Sequence, residues 1–158
     1  MTGHPIGVVK QYAERKKINH ELGEDSIVIT IDGVWQQYSV ALQYIYPPYE
    51  MLFLLLTFAC HIPEEKTRLV SALADKINDR MAIGNFVSKP DADLITFRYG
   101  LILDHDVEPT VAQVEKMITT AVDEADKFYP AFLTLVWGED ETIESALRTT
   151  MPKAVGRA

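Results

Sequence analysis

The side chains able to do chemistry are few and dispersed along the chain. Asp104-His105-Asp106 groups two carboxylates and an imidazole, donor types that metal sites use. A polar connection between a strand and a helix accounts for the same three residues. Cys60 and His61 are adjacent in an extended segment, so their side chains point to opposite faces and cannot form a nucleophile–base pair or share a metal. Cys60 therefore reads as a buried structural thiol. His4, His20, His61 and His105 fall in different elements. No G-x-S-x-G turn is present to carry a serine nucleophile. Neither of the phosphate-cradling patterns, G-x-x-x-x-G-K and G-x-G-x-x-G, occurs. Neighbouring acids such as Glu64-Glu65 and Asp123-Glu124 read as solvated helix faces. The expectation is a non-enzyme with no catalytic residue, no metal and no cofactor.

Groups suited to binding are more concentrated. Trp35, Tyr38, Tyr44, Tyr46 and Tyr49 lie on or around one hairpin, and aromatic residues are enriched at the centres of protein interfaces. These five are the expected partner or dimer surface. The competing reading packs Tyr38 and Tyr44 under helices and tucks Trp35 into a loop, because aromatics dominate cores as well. Arg98 shares a strand face with Thr96 and Gly100 and is a possible anion contact, in a pocket between sheet and helices near Asp104–Asp106. A salt bridge to an acid on the next strand is the alternative. Charge is uneven: residues 104–144 hold 11 acids and 2 lysines, net −9, against 12 acids and 13 bases elsewhere, net +1. A concentrated acidic field either serves solubility or steers a basic partner segment.

These residues must be positioned by a chain of 158 residues, 47% hydrophobic and 24% charged. That describes one globular domain, 1–158, with an ordered core of about 5–150 and a frayed tail. The net charge of −8 lacks the basic footprint of a nucleic-acid binder and opposes adsorption to anionic lipid. A single cysteine excludes a disulfide framework within one chain. Residues 1–10 show no apolar leader. The longest apolar run, Met51–Cys60, is ten residues, half of what a membrane-spanning helix needs at about 20. A cytoplasmic protein is expected.

Periodicity supplies the elements. Pro5 to about Lys17 reads as a helix, with Pro5 at its first turn and cations at its last. Ile27, Ile29 and Ile31 alternate as in a strand, and Asp32-Gly33 signals a turn. Tyr38, Val40, Leu42, Tyr44 and Tyr46 share one face of the next strand, which Pro47-Pro48 ends. Met51–Cys60 has no polar face and reads as central, or covered on both sides. A second helix begins near Pro63 with a stripe of Leu69, Leu73, Ile77 and Met81, and Gly84 as its cap. A short strand near Phe86 and a long one from Ile95 to Leu103 flank a turn at Lys89–Asp93. Thr110-x-x-Gln113 is a capping box opening a third helix, which Pro130 should kink or split before Trp137. Trp137 follows the apolar Phe132, Leu135 and Val136 and is placed in the core. A last short helix spans about Asp140–Thr149. The order α-βββ-α-ββ-α-α with hairpin-length links predicts an α+β fold, a five-stranded antiparallel sheet backed by helices.

Several stretches resemble the YbjN-like family of bacterial proteins, also described as sensory transduction regulators, whose fold is similar to type III secretion chaperones. They are Gly33-Val34-Trp35-Gln36-Gln37-Tyr38, Asn78-Asp79-Arg80-Met81-Ala82-Ile83-Gly84-Asn85-Phe86, Phe97-Arg98-Tyr99-Gly100-Leu101, and Phe128-Tyr129-Pro130-Ala131-Phe132 with Val136-Trp137-Gly138. The resemblance implies a twisted antiparallel sheet backed by helices, a homodimer, and no active site. It points to a non-enzymatic protein-binding module, chaperone-like or a regulatory adaptor, holding a partner polypeptide. The alternative is a small-ligand sensory or weakly enzymatic module using Arg98 and Asp104–Asp106. A homodimer is also expected because an aromatic-rich strand from Trp35 to Tyr46 makes a poor free edge.

Overall fold

The computed structural model of the chain describes residues 4–150. Six strands form one open antiparallel sheet in the order β1-β2-β3-β4-β6-β5: β1 (His20–Leu22), β2 (Ser26–Asp32), β3 (Gln37–Ile45), β4 (Met51–Ala59), β5 (Asn85–Lys89) and β6 (Leu94–Ile102). The helices are α1 (Pro5–Arg15), α2 (Thr67–Asp79), α3 (Val111–Trp137) and α4 (Ile143–Leu147). Strands β1 to β4 follow one another as a meander. The chain then crosses by α2 to the far edge and returns through the β5–β6 hairpin to pair β6 against β4.

Alternation along the strands decides which face is buried. Ile27, Ile29, Val40, Leu42, Leu52, Leu54, Leu56, Phe58, Ile95 and Phe97 point to one side and are fully buried. They form a single core with Val9 and Ala13 of α1, Leu73 and Ile77 of α2, and Ile118, Ala125, Phe132 and Leu135 of α3. Apart from Thr96, which is buried, the opposite face of the sheet stays half-buried or exposed among the described residues. This resolves β4: it is interior, between β3 and β6, yet covered by helices on one side only.

The expected α+β class and antiparallel pairing hold, but the sheet has six strands, not five. The addition is β1, a three-residue edge strand too short to show a period. Strand β3 is not an edge. It is paired on both sides, with β2 and β4, so its aromatics give no edge-based reason for a dimer.

Helix α3 continues through Pro130 for 27 residues instead of splitting there. Proline removes the N–H that would bond the carbonyl four residues earlier, that of Asp126. The indole Nε1 of Trp35 donates to this same carbonyl at 2.9 Å, so the group that Pro130 leaves unbonded is satisfied from the β2–β3 loop. Trp137 is not in the core. It ends α3 78% exposed, because the buried positions 128, 131, 132, 135 and 136 step past it. At this end of the helix Lys66 Nζ donates to the carbonyls of Leu135, at 2.7 Å, and Gly138, serving as a cationic C-terminal cap from outside the helix.

Helix α2 begins after a short 3-10 turn (Glu64–Lys66) and ends at Asp79. Its buried stripe is Val70, Leu73, Ala74 and Ile77, so Met81 and Gly84 lie beyond it. Gly84 is not the helix cap. It sits at φ +71°, where a Cβ would come within 2.4 Å of the Phe97 ring and 2.6 Å of the Arg98 carbonyl. The side-chain amide of Asn78 donates to the Phe86 carbonyl at 2.9 Å and accepts from the Phe86 N–H at 2.7 Å. It thereby occupies main-chain groups that edge strand β5 would otherwise present to solvent. Helix α3 opens with the expected capping box, Thr110 with Gln113, and α4 is shorter than expected, at five residues. The expected frayed tail beyond residue 150 lies outside the described residues.

Candidate functional site

The five hairpin aromatics do not make one surface. Tyr38 is excluded from it: the ring is fully buried, and its hydroxyl donates to Asp126 Oδ1 at 2.6 Å. The same carboxylate oxygen accepts the Val34 N–H at 2.9 Å. Asp126, 1% exposed, thus binds the β2–β3 loop with its side chain and holds Trp35 with its main-chain carbonyl. Trp35 keeps 47% of its surface exposed while its ring stacks on Tyr129 at 6.1 Å and 15°. Gly33 permits this approach, since a Cβ there would fall 2.1 Å from the Tyr38 ring and 2.7 Å from Asp126 Oδ1. Burial first, then the hydrogen bond to Asp126, pushes the Tyr38 phenol far above its ordinary range. One of the acids attributed to a solvated α3 surface is therefore internal, and it joins two of the motif stretches, Gly33–Tyr38 and Phe128–Phe132.

Tyr44 and Tyr46 lie at the other end of β3, six or more residues from Tyr38 and so about 20 Å away. Here they meet residues that the sequence keeps far apart. His4 caps α1 by accepting the Ile6 N–H on Nδ1 at 3.2 Å, which leaves Nε2 to face Asp25 Oδ1 at 3.3 Å. The Tyr44 ring meets His4 edge-on at 4.9 Å and Tyr46 at 4.8 Å. Tyr46 donates its hydroxyl to Asp25 at 2.9 Å. Across from these rings, His105 bridges Glu50 through Nδ1 at 3.3 Å and Asp106 through Nε2 at 3.1 Å.

Together His4, Tyr44, Tyr46, Glu50, Asp106 and Glu108 line an open cavity of about 230 Å³, closed off by Pro5, Leu103 and Val107. Its lining holds three carboxylates and no lysine or arginine. Glu108 precedes the start of α3, where the helix dipole favours an anion; Glu50 and Asp106 lie in turns and have no such reason. The field of Glu50 and Asp106 acts on His105 and Tyr44. The hydrogen bond to Glu50, then the charge of Asp106, raises the His105 pKa. Tyr46 is raised by its bond to Asp25, and Tyr44 by desolvation, then by Glu50, Asp106 and Asp25. Chemically, the site is an aromatic-walled recess of negative potential.

Tyr49 is exposed in the turn beside this recess and does not line it. Arg98 is elsewhere. It lies on the exposed side of the sheet with its guanidinium 5.3 Å from the Phe53 ring centre, and its cross-strand neighbours, Leu55 and Asn85, are uncharged. The expected pocket shared by Arg98 and Asp104–Asp106 is therefore not formed: Asp106 enters the recess and Arg98 is on another face. Sequence reasoning missed His4, Asp25 and Glu50, whose only local signal was the position of His4 before Pro5. Cys60 is buried, with its thiol pushed up to about 11 by burial, while His61 faces outward to Asp93 at 3.0 Å. Among the described residues no group of three or more His, Cys, Asp and Glu is placed to hold a metal ion, and no helix is long and apolar enough to cross a membrane.

An open antiparallel sheet with helices on one face defines an α+β domain, and a charged recess lies at one end of the sheet. The chain belongs to the YbjN family, described as "Putative bacterial sensory transduction regulator", whose model matches residues 5–134. The chain is also similar to a solved structure, "Crystal structure of YbjN, a putative transcription regulator from E. coli". The identity is 13%, with a TM-score of 0.48 over 77% of this chain and 90% of that one. None of the curated proteins matches it.

Proposed function

We propose that this protein is a non-enzymatic regulatory module, adaptor- or chaperone-like, that holds a basic segment of a partner polypeptide in the recess between the end of β3 and the β6–α3 connection. The observation that carries this reading is the juxtaposition of the Tyr44 and Tyr46 rings with Glu50, Asp106 and Glu108 around one open cavity. Aromatic faces and carboxylates both favour a cation, and Asp104, Asp106 and Glu108 in the β6–α3 connection steer one toward the recess.

The magnitudes suit a transient interaction. One cation on an exposed aromatic wall gains about 0.5–1 kcal/mol, and each solvent-exposed carboxylate pair about 0.2–1 kcal/mol. With three carboxylates in the lining, a single lysine in the recess therefore gains roughly 1–4 kcal/mol, which is millimolar binding at best, and useful affinity requires a segment with several basic residues. The test is calorimetric titration of the full chain with a short lysine-rich peptide, a glutamate-rich peptide of equal length, and a small alkylammonium ion. The lysine-rich peptide should bind, weaken with added salt, and lose about fivefold in affinity in Glu50→Gln and in Tyr46→Ala. Equal binding of both peptides, or no effect of the two variants, overturns the reading. Binding of the alkylammonium ion as tight as that of the peptide overturns the polypeptide assignment in favour of a small-ligand sensor.

A further inference from the structure

A second open cavity, also of about 230 Å³, lies between α3 and the turn that joins α2 to β5, and it shares no residue with the recess. Helix α3 lines it with Thr120, Glu124, Lys127 and Phe128, positions i, i+4, i+7 and i+8 on one helical face. The turn contributes Arg80 and Ile83. This turn is fixed at its far end. Gly84 sits at φ +71° against the Phe97 ring and the Arg98 carbonyl, and Asn78 engages both main-chain groups of Phe86. Between these anchors Arg80 and Ile83 are exposed, Ile83 at 44%. A rigid turn that presents exposed side chains to a cavity is preorganised for binding.

The charge here is opposite to that of the recess. Two cations and one acid, Glu124, give the described lining a net +1 in a chain of net −8. Among the described residues neither Arg80 nor Lys127 has an ion-pair partner, whereas Glu124 has interactions of its own. The Lys127 ammonium lies 5.1 Å from the centre of the Phe128 ring, which places a cation beside an apolar floor. Thr150 completes the lining, and its hydroxyl oxygen is buried without a hydrogen-bond partner. A hydroxyl both donates and accepts, and leaving it unpaired in a buried place is costly.

We infer that this cavity binds a small organic carboxylate with an apolar body. The planar guanidinium of Arg80 matches a carboxylate with two parallel hydrogen bonds, and Lys127 adds a second positive charge. The Thr150 hydroxyl gains the partner it lacks, and Phe128 and Ile83 cover the apolar body. Glu124 sets the charge that is accepted. A monoanion neutralises a lining of +1, while a phosphate monoester, at about −1.5 to −2, brings a surplus that Glu124 repels. The volume is below the roughly 300–1,000 Å³ of pockets for drug-sized molecules, so the occupant is of metabolite size. The recess takes cations and this cavity an anion, on separate residues, so each reading fails without the other.

The test is a nuclear magnetic resonance titration of the full chain with 3-phenylpropionate, its uncharged amide, acetate and phenyl phosphate. The 3-phenylpropionate should bind with a dissociation constant of about 1 mM or below, shift the amide signals of residues 80–83 and 120–128, and raise the melting temperature. The amide and acetate should each bind at least about tenfold more weakly, one lacking the charge and the other the body. Arg80→Gln and Lys127→Gln should each lose about tenfold, and Ile83→Ala a few-fold for 3-phenylpropionate with acetate unchanged. None of these three positions belongs to the hydrophobic core, and far-ultraviolet circular dichroism melts check that each variant folds. Shifts confined to other residues, or no binding at about 10 mM, overturn the inference. So does an amide that binds as tightly as the acid, or affinity indifferent to both cation variants. Phenyl phosphate binding more tightly than 3-phenylpropionate overturns the carboxylate assignment in favour of a phosphate ester.

Discussion

Replacing Asp126 by alanine should cost far more than any acid-to-alanine change on the surface of α3. The side chain is 1% exposed and accepts two hydrogen bonds, from the Tyr38 hydroxyl at 2.6 Å and the Val34 N–H at 2.9 Å. Hydrogen bonds to a charged acceptor contribute about 1.5–3 kcal/mol each, and a buried hydroxyl left without a partner costs about 1–3 kcal/mol. Removing a buried carboxylate also relieves its desolvation, which offsets part of the loss. The net expectation is about 3 kcal/mol for Asp126→Ala. Asp126→Asn keeps an acceptor oxygen for both donors and should cost about 1 kcal/mol. In urea melts, with a slope of about 2 kcal/mol/M, the alanine variant should unfold roughly 1.5 M earlier. Tryptophan emission provides a second readout. Trp35 bonds the main-chain carbonyl of residue 126, which alanine retains, so the emission of the folded variant should match the wild type. An alanine variant within 0.5 kcal/mol of wild type, or an asparagine variant as damaged as the alanine one, refutes this account of the loop.

Two further expectations follow from the same structure. Asn78→Ala exposes the Phe86 N–H and carbonyl of β5 that the amide now engages; it should lose about 1–3 kcal/mol in chemical denaturation and aggregate faster in light-scattering assays. Tyr38 ionises near its ordinary 10.0 only when unfolded, its folded value being raised by burial and by Asp126. Its contribution is therefore complete below about pH 10 and lost as pH rises beyond it. The melting temperature should fall as pH rises above about 10, and Tyr38→Phe should flatten that fall.

Elements with a strong period were legible in the sequence and long-range chemistry was not. The alternation in β2, β3 and β6 fixed their faces, and the Thr110–Gln113 box marked the start of α3 to the residue. Pro130 misled because its local effect was read without the distant donor: nothing near it in sequence announces that Trp35 takes the carbonyl of Asp126. Tyr38 and Tyr46 share type and face in the sequence, yet one is core and the other exposed. Helical cover extends over one end of β3 and not the other, and that extent depends on where α1 and α3 lie. The recess joins His4, the Tyr44–Glu50 stretch and Asp106 from three segments far apart in sequence, so no local spacing encodes it. The missed strand β1 is three residues long, below the length at which alternation can be distinguished from chance.

The two ends of the sheet have a consequence for how large an assembly this chain can build. Head-to-tail pairing of one sheet edge with the opposite edge of the next copy grows without limit, because each newcomer presents the same unpaired edge as the last. One edge here is a three-residue strand, and the other has Phe86 bonded on both its main-chain groups by Asn78. Lateral polymerisation therefore lacks a template on either side. Association is left to surfaces of side chains, where a self-complementary contact consumes itself once made, and the expected products are closed complexes of fixed size instead of fibres.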